Sequence, residues 1–244
     1  MPDADARVAR ANQLIDAEPT SSLRPRGPFV RMEKLCSALT RTLPAKGVGV
    51  SVLTDDTSRG GTVAASDLVS RRLDELQFTL GEGPCIDAYA SRRPVLEPDL
   101  FGHGSGRWPG YAAAAQGEGV RAVFAFPLQI GTARAGALDV YRNEPGPLTQ
   151  GALSQALTFA DIAMGLLLDT QTPTLAGGLA DLDDALAYRL EVYQAQGMVM
   201  VDLRVTLDEA MARMRAHAYA HDRSLTDVAR DIVEGNLRLS QDKP

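Results

Sequence analysis

At 244 residues the chain is long enough for one or two domains with real buried cores, and a composition of 45% apolar and 23% charged residues is that of an ordinary globular protein. The net charge of −6 excludes a broad basic surface that coats nucleic acid non-specifically, so any nucleic-acid contact must be local. Two cysteines, Cys36 and Cys85, exclude a disulfide framework. The acidic start MPDADARVARANQLIDAEPT lacks a signal-peptide core, and no apolar run approaches the ~18 residues of a membrane span, so a cytoplasmic protein without membrane contact is expected.

In chain order, residues 1–27 read as a polar N-terminal arm with a short helical stretch, ending in the turn SSLRPRGP. Phe29, Met32, Leu35, Cys36, Leu39 and Leu43 then recur at helical spacing, with Pro44 as a stop. GVGVSVLT alternates like a strand, DDTSRGG is turn chemistry, and TVAAS is a second short strand before the polar helix candidate DLVSRRLDELQ. Pro84 in GEGPCIDAYAS suits the first position of a helix, where its missing N–H costs nothing. RPVLEPDL is extended, and WPGYAAAAQGEG is a short helix closed by glycine. RAVFAFPLQI and GALDVYR form a hairpin through GTARA, with Ala122, Phe124 and Phe126 on one strand face and Val123 and Ala125 on the other. A long apolar helix from Thr149 to about Leu168 closes this part, and the Gly/Pro-rich stretch at 171–179 reads as a linker. Beyond it strand signals vanish. The fold class is α+β: a mixed domain over 28–170, then an all-helical one over 180–240.

The helix–strand–strand–helix–loop–hairpin–helix order resembles the GAF fold, an antiparallel sheet with flanking helices. The resemblance rests on Gly81, Gly83 and Pro84, on Pro94 and Asp99, on Trp108 and Tyr111 in WPGY, on Gly119, Val120, Pro127 and Leu128, and on Gly136, Leu138 and Tyr141. It implies a sensor or dimerisation domain with a small-molecule pocket, which we expect around Phe78, Cys85, Trp108, Tyr111, Phe124 and Phe126; the bland alternative is that these aromatics only fill the core. The signatures of cyclic-nucleotide-binding members have no counterpart, and no cysteine–histidine neighbourhood suggests bilin attachment. A catalytic Cys85 would need a base such as His103 or Asp99 beside it. No cofactor and no metal site is expected, and His217 with His221 lacks a third ligand.

The last quarter divides into three amphipathic helices. The first carries a stripe of Leu182, Leu186, Leu190, Tyr193, Gly197 and Met200, close to a heptad seam. The second opens on the capping box Thr206–Glu209 and the third on Ser224 with Asp227. Such short helices must pack together to persist in water. Arg189, Val192, Ala195 and Gly197 on the first helix, Glu209, Ala210, Arg215 and Ala218 on the second, and Arg223, Leu225, Val228 and Ala229 on the third resemble the ANTAR domain. Gln196 departs from the lysine common there.

That resemblance implies RNA binding at mRNA hairpin loops that compete with intrinsic terminators, as in transcription antitermination, by a homodimer and without enzymatic chemistry. The expected RNA-contact set is Arg189, Ala195, Gln196, Gly197, Arg204, Arg215, Ala218 and Arg223, with arginines for phosphates and bases and small residues for close approach. Against it stand eleven Asp/Glu and only eight Lys/Arg in residues 182–244. The alternative is a ligand-sensing module whose helical tail docks on a protein partner. DNA binding fits worst, because no helix presents a basic N-terminal face to a major groove.

Overall fold

The computed structural model describes residues 2–19, 29–53, 60–170, 179–221 and 223–240. A five-stranded antiparallel sheet forms its centre, from β1 (Gly47–Leu53), β2 (Gly60–Ala65), β3 (Val95–Glu97), β4 (Ala122–Ile130) and β5 (Ala133–Arg142), in the order β2-β1-β5-β4-β3. β4 and β5 form the expected hairpin, in register from Ala122 opposite Arg142 to Ile130 opposite Ala133. The turn between them is shorter than GTARA and uses Gly131 at φ +58°, a conformation that costs glycine little.

Helices cover both faces. On one lie α1 (Pro2–Ala17), α2 (Val30–Thr42) and α7 (Gln150–Thr170). They pack on the even-numbered residues of the central strands: Val48, Val50, Phe124, Phe126, Leu138 and Val140 are all at most 1% exposed and belong to one apolar cluster. α1 is more than a polar arm, because Ala11 and Ile15 join this core while Arg31 of α2 holds Asn12 and Asp16 from outside. By length and composition Gln150–Asp169 of α7 could cross a membrane, although polar residues interrupt its apolar run. Here its Ala156, Phe159, Ala163 and Met164 fill the core beside the sheet. Each large side chain buried there contributes roughly 1.5–3 kcal/mol.

The opposite face is covered by α3 (Leu68–Leu80), α4 (Pro84–Ser91), α5 (Ser105–Arg107) and α6 (Pro109–Gly117), with a π-helical turn at Leu100–Gly104. Asp67 caps α3 by accepting from the Ser70 N–H. α3 ends on Gly81 in the left-handed region, and Pro84 opens α4 as the sequence predicts. Gly83 (φ +146°) must be glycine, since a Cβ there would strike the Gln77 side chain at 2.4 Å.

The C-terminal helices are α8 (Leu179–Leu203), α9 (Leu207–Ala220) and α10 (Leu225–Val233), a three-helix head with its own core. The capping box is formed in full: the Glu209 N–H donates to Thr206 Oγ1 at 3.2 Å, and the Thr206 N–H donates to Glu209 Oε2 at 2.9 Å. Ser224 caps α10 the same way, accepting from the Asp227 N–H at 3.1 Å. The linker stretch 171–178 lies outside the described residues.

Candidate functional site

Two places hold the chemistry. The first is the odd-numbered face of the sheet, beneath α3 and α6, where the strands that are apolar on one side become polar on the other. Ser51 of β1 and Asp139 and Tyr141 of β5 point there, and α3 lowers Asp74 and Gln77 onto them; all five are at most 2% exposed. The Tyr141 hydroxyl bonds Asp74 Oδ1 and lies 3.3 Å from Asp139 Oδ2. Gln77 Nε2 donates to Asp139 Oδ2 at 2.6 Å, while its Oε1 accepts the Cys85 N–H at 2.8 Å and so ties the start of α4 to α3. Ser51 Oγ donates to Asp74 Oδ2 at 3.3 Å. Gly49 leaves room for that carboxylate, since a Cβ there would fall 2.1 Å from Asp74 Oδ2.

One hydroxyl proton cannot serve two carboxylates, and among the described residues no cation forms an ion pair with either. Burial pushes both acids up: Asp139 to about 7, and Asp74 well above its ordinary range, with the neighbouring Asp139 charge as a second cause. Both acids therefore favour the protonated form more than an exposed carboxyl does. Around the two acids, Asp139 Oδ1 and the Tyr111 hydroxyl remain unpartnered. Tyr111 sits close enough to Tyr141 and the two acids to be influenced by them, yet no donor or acceptor meets its oxygen in hydrogen-bond geometry. Tyr111 is held in place by Glu82, which accepts the Gly110 and Tyr111 N–H groups at 2.7 and 2.9 Å at the start of α6.

Of the expected pocket residues, Trp108 and Tyr111 lie on this face, in the cluster that includes Val123, Ala125 and Tyr141. Phe78 and Cys85 form an adjoining cluster with Leu53 and Ala137. Phe124 and Phe126 do not join them. They point to the other face, among α1, α2 and α7, because alternation along β4 separates them from Val123 and Ala125. Cys85 is fully buried, and burial together with the Asp139 and Asp74 charges pushes its thiol up, the reverse of what a nucleophile at a helix start requires. The side chain of His103 lies outside the described residues, and Asp99 instead caps the π-helical turn by accepting from the Phe101 N–H. Asp74, Gln77 and Asp139 escaped the sequence reading. Their signal was an acid in the middle of the core strand GALDVYR and a carboxylate–amide pair three residues apart on the buried side of DLVSRRLDELQ.

The second place is the head. Ala195 and Ala218 are fully buried in its core, and Gln196, 3% exposed, donates to the Leu207 carbonyl at 2.9 Å, fastening α8 to the start of α9. These three stand inside the helix packing rather than on a surface an RNA loop would meet. The fully buried side of α8 is Ala195, Val199 and Leu203; of the expected stripe, Met200 packs partly against this core, Tyr193 and Gly197 are half-buried, and the side chains of Leu182, Leu186 and Leu190 lie outside the described residues. Gly197 lines an open groove of about 490 Å³ with Val201, Ile232 and Leu239. Arg204 is exposed in the left-handed region (φ +55°) at the α8–α9 corner. Arg223 pairs with Asp231 at 2.6 Å. Arg215 lies against the end of α3, where a Cβ on Gly81 would fall 2.8 Å from its Nη1. The side chain of Arg189 lies outside the described residues.

The head thus rests on the sensor-like unit. α9 packs on α3, and a cleft of about 670 Å³ between them is lined by Arg71, Arg72 and Glu75 on one side and Tyr219, Arg223 and Asp227 on the other. His217 and His221 stack at 4.0 Å, and the described residues hold no group of three or more His, Cys, Asp or Glu suited to a metal ion.

Comparison with known proteins follows this division. The GAF domain family matches residues 31–167, more than half of the chain, and the ANTAR domain family matches residues 180–233. Among solved structures, the GAF domain of a phosphoenolpyruvate-protein phosphotransferase from Coxiella burnetii aligns at 15% identity with a TM-score of 0.51, covering 69% of this chain and 94% of that one. The GAF domain of the corresponding Acinetobacter protein aligns at 13% identity with a TM-score of 0.50, covering 68% and 94%. These two likenesses concern the fold. A search of curated proteins gave no match. With its antiparallel sheet, its flanking helices and its three-helix C-terminal head, the chain belongs to the GAF domain family and carries an ANTAR domain, a known RNA-binding antitermination module, behind it.

Proposed function

We propose that this chain is an RNA-binding transcription antitermination regulator. Its head, residues 180–240, captures hairpin loops in nascent mRNA that compete with intrinsic terminators; residues 28–170 sense a signal and hold two copies together; and 171–179 joins the units. The observation that carries this reading is the ANTAR match across the whole of a head that folds with its own core and caps. The protein makes and breaks no bond, and it works in the cytoplasm, where nascent mRNA is. The RNA-facing set narrows to Arg204, Gly197, Arg215, Arg223 and Arg189, because Ala195, Gln196 and Ala218 serve the head's packing. Arg223 lines the cleft beside α3 and Arg215 lies against Gly81 at the end of α3, so RNA capture through them requires the head to leave α3.

A specific observation favours a second reading: the head already lies on a protein surface, α3, as a protein-docking module would. Fluorescence anisotropy of the full chain against a panel of hexaloop hairpins, at stated salt, separates the two. We expect a cognate hairpin to bind at least about tenfold more tightly than scrambled RNA, within the range a few specific contacts give. Arg204→Ala should weaken that binding several-fold with the helical circular-dichroism signal intact. Equal, weak affinity for every RNA would favour the protein-docking reading.

A further inference from the structure

The polar nest under α3 leaves two buried polar atoms open. Asp74 and Asp139 share the hydroxyl of Tyr141, Ser51 Oγ donates to Asp74, Gln77 supplies one N–H to Asp139, and Asp139 Oδ1 and Tyr111 Oη, both buried, are left without a partner. A buried acceptor without a donor costs about 1–3 kcal/mol, so an occupant that donates hydrogen bonds is favoured there, and two acids make a positive occupant more favoured still. A divalent or transition metal is poorly matched, because no third His, Cys, Asp or Glu completes a ligand set among the described residues. A flat guanidinium needs two parallel acceptors on one plane, whereas these acceptors come from three separate elements, β5, α3 and α6. A compact tetrahedral nitrogen with three or four N–H groups matches acceptors that converge from different directions.

Resting on the reading of this unit as a sensor, we propose that the nest receives an ammonium-type head, either free ammonium or the terminus of a primary amine, with Asp139 Oδ1 and Tyr111 Oη as its first acceptors and Asp74 as the balancing charge. Neutralising the pair in this way takes the place of the proton the acids otherwise hold. Arg71 on the same helix favours the charged form of Asp74, but among the described residues no ion pair joins the two.

The test is the melting temperature of the full chain at mildly alkaline pH and constant ionic strength in ammonium, methylammonium, potassium or tetramethylammonium chloride, without RNA. Ammonium should raise Tm by roughly 2–4 °C over potassium and tetramethylammonium. A comparable rise with methylammonium identifies an amine terminus as the source, and a rise with ammonium alone identifies the free ion. Asp139→Asn and Tyr111→Phe should each abolish the difference; Tyr111→Phe removes only an unpartnered hydroxyl, so it decides the matter if Asp139→Asn folds poorly. Equal Tm in all four salts overturns the proposal, as does an ammonium effect that survives in both variants. If another metabolite shifts Tm while ammonium does not, the sensor reading stands and this one falls.

Discussion

Along β1, β4 and β5, neighbouring residues share strand, partners and burial but differ in chemistry by parity. The even positions Val48, Val50, Phe124, Phe126, Leu138 and Val140 meet only apolar side chains from α1, α2 and α7. The odd positions Gly49, Ser51, Asp139 and Tyr141 meet a carboxylate and an amide from α3. Both sides exclude water equally, so burial alone does not mark a site. The difference lies in whether each buried polar atom finds a partner: the even positions named have none to satisfy, and the odd side leaves Asp139 Oδ1, the Tyr111 hydroxyl and Thr62 Oγ1 unsatisfied.

The largest way to test this contrast is Phe126→Ala on the even side. It should cost about 3–5 kcal/mol in denaturant unfolding, as truncation of a fully buried aromatic does, and leave any ammonium response in place if the chain still folds. Asp139→Asn should act on the odd side through pH. The folded-state value of Asp139 stands at about 7 against an ordinary 3.8, so between those values the folded protein holds a proton that the unfolded chain has released. Stability therefore falls as pH rises through that window, by up to about 1.4 kcal/mol per pH unit for this one proton, and levels off above it. Asp74, also raised by burial, slopes the same way. The asparagine variant should melt like wild type in acid and hold its Tm better near neutrality; a wild-type Tm that is flat across that window would break the contrast. The smallest effect belongs to Tyr111→Phe, which should raise stability by about 1–3 kcal/mol because it removes a buried hydroxyl that finds no partner. A loss of several kcal/mol would mean the hydroxyl has a partner.

Alternation in RAVFAFPLQI separated Phe124 and Phe126 from Val123 and Ala125 correctly, yet it could not tell which set lay under the short helices. In a half-exposed sheet the polar side identifies itself, whereas here helices cover both sides and both sets are apolar. The capping box at Thr206 and the start at Ser224 were legible because they are local chemistry, a side chain meeting an N–H three residues on. α10 was legible too, with Val228, Ala229 and Ile232 buried on one stripe. α8 was legible only in part, because apolar residues run around it; the packing of α9 and α10 buries Ala195 and Val199 fully and covers Met200 only partly. For the same reason the small residues Ala195 and Ala218, chosen as openings for RNA, proved to be the places where helices approach each other.

α3 belongs to both places at once. Its inner side sets Asp74 and Gln77 onto β5, and its far end meets Arg215 of the head at Gly81, within a single rigid rod of thirteen residues. Free energy passed along such a rod has no preferred direction. Whatever factor an occupant of the nest applies to the head's affinity for RNA, RNA must apply in return to the affinity of the nest. Reading the titration of Asp139 with and without a bound hairpin would then report on the conversation between the two domains from the side that RNA never touches.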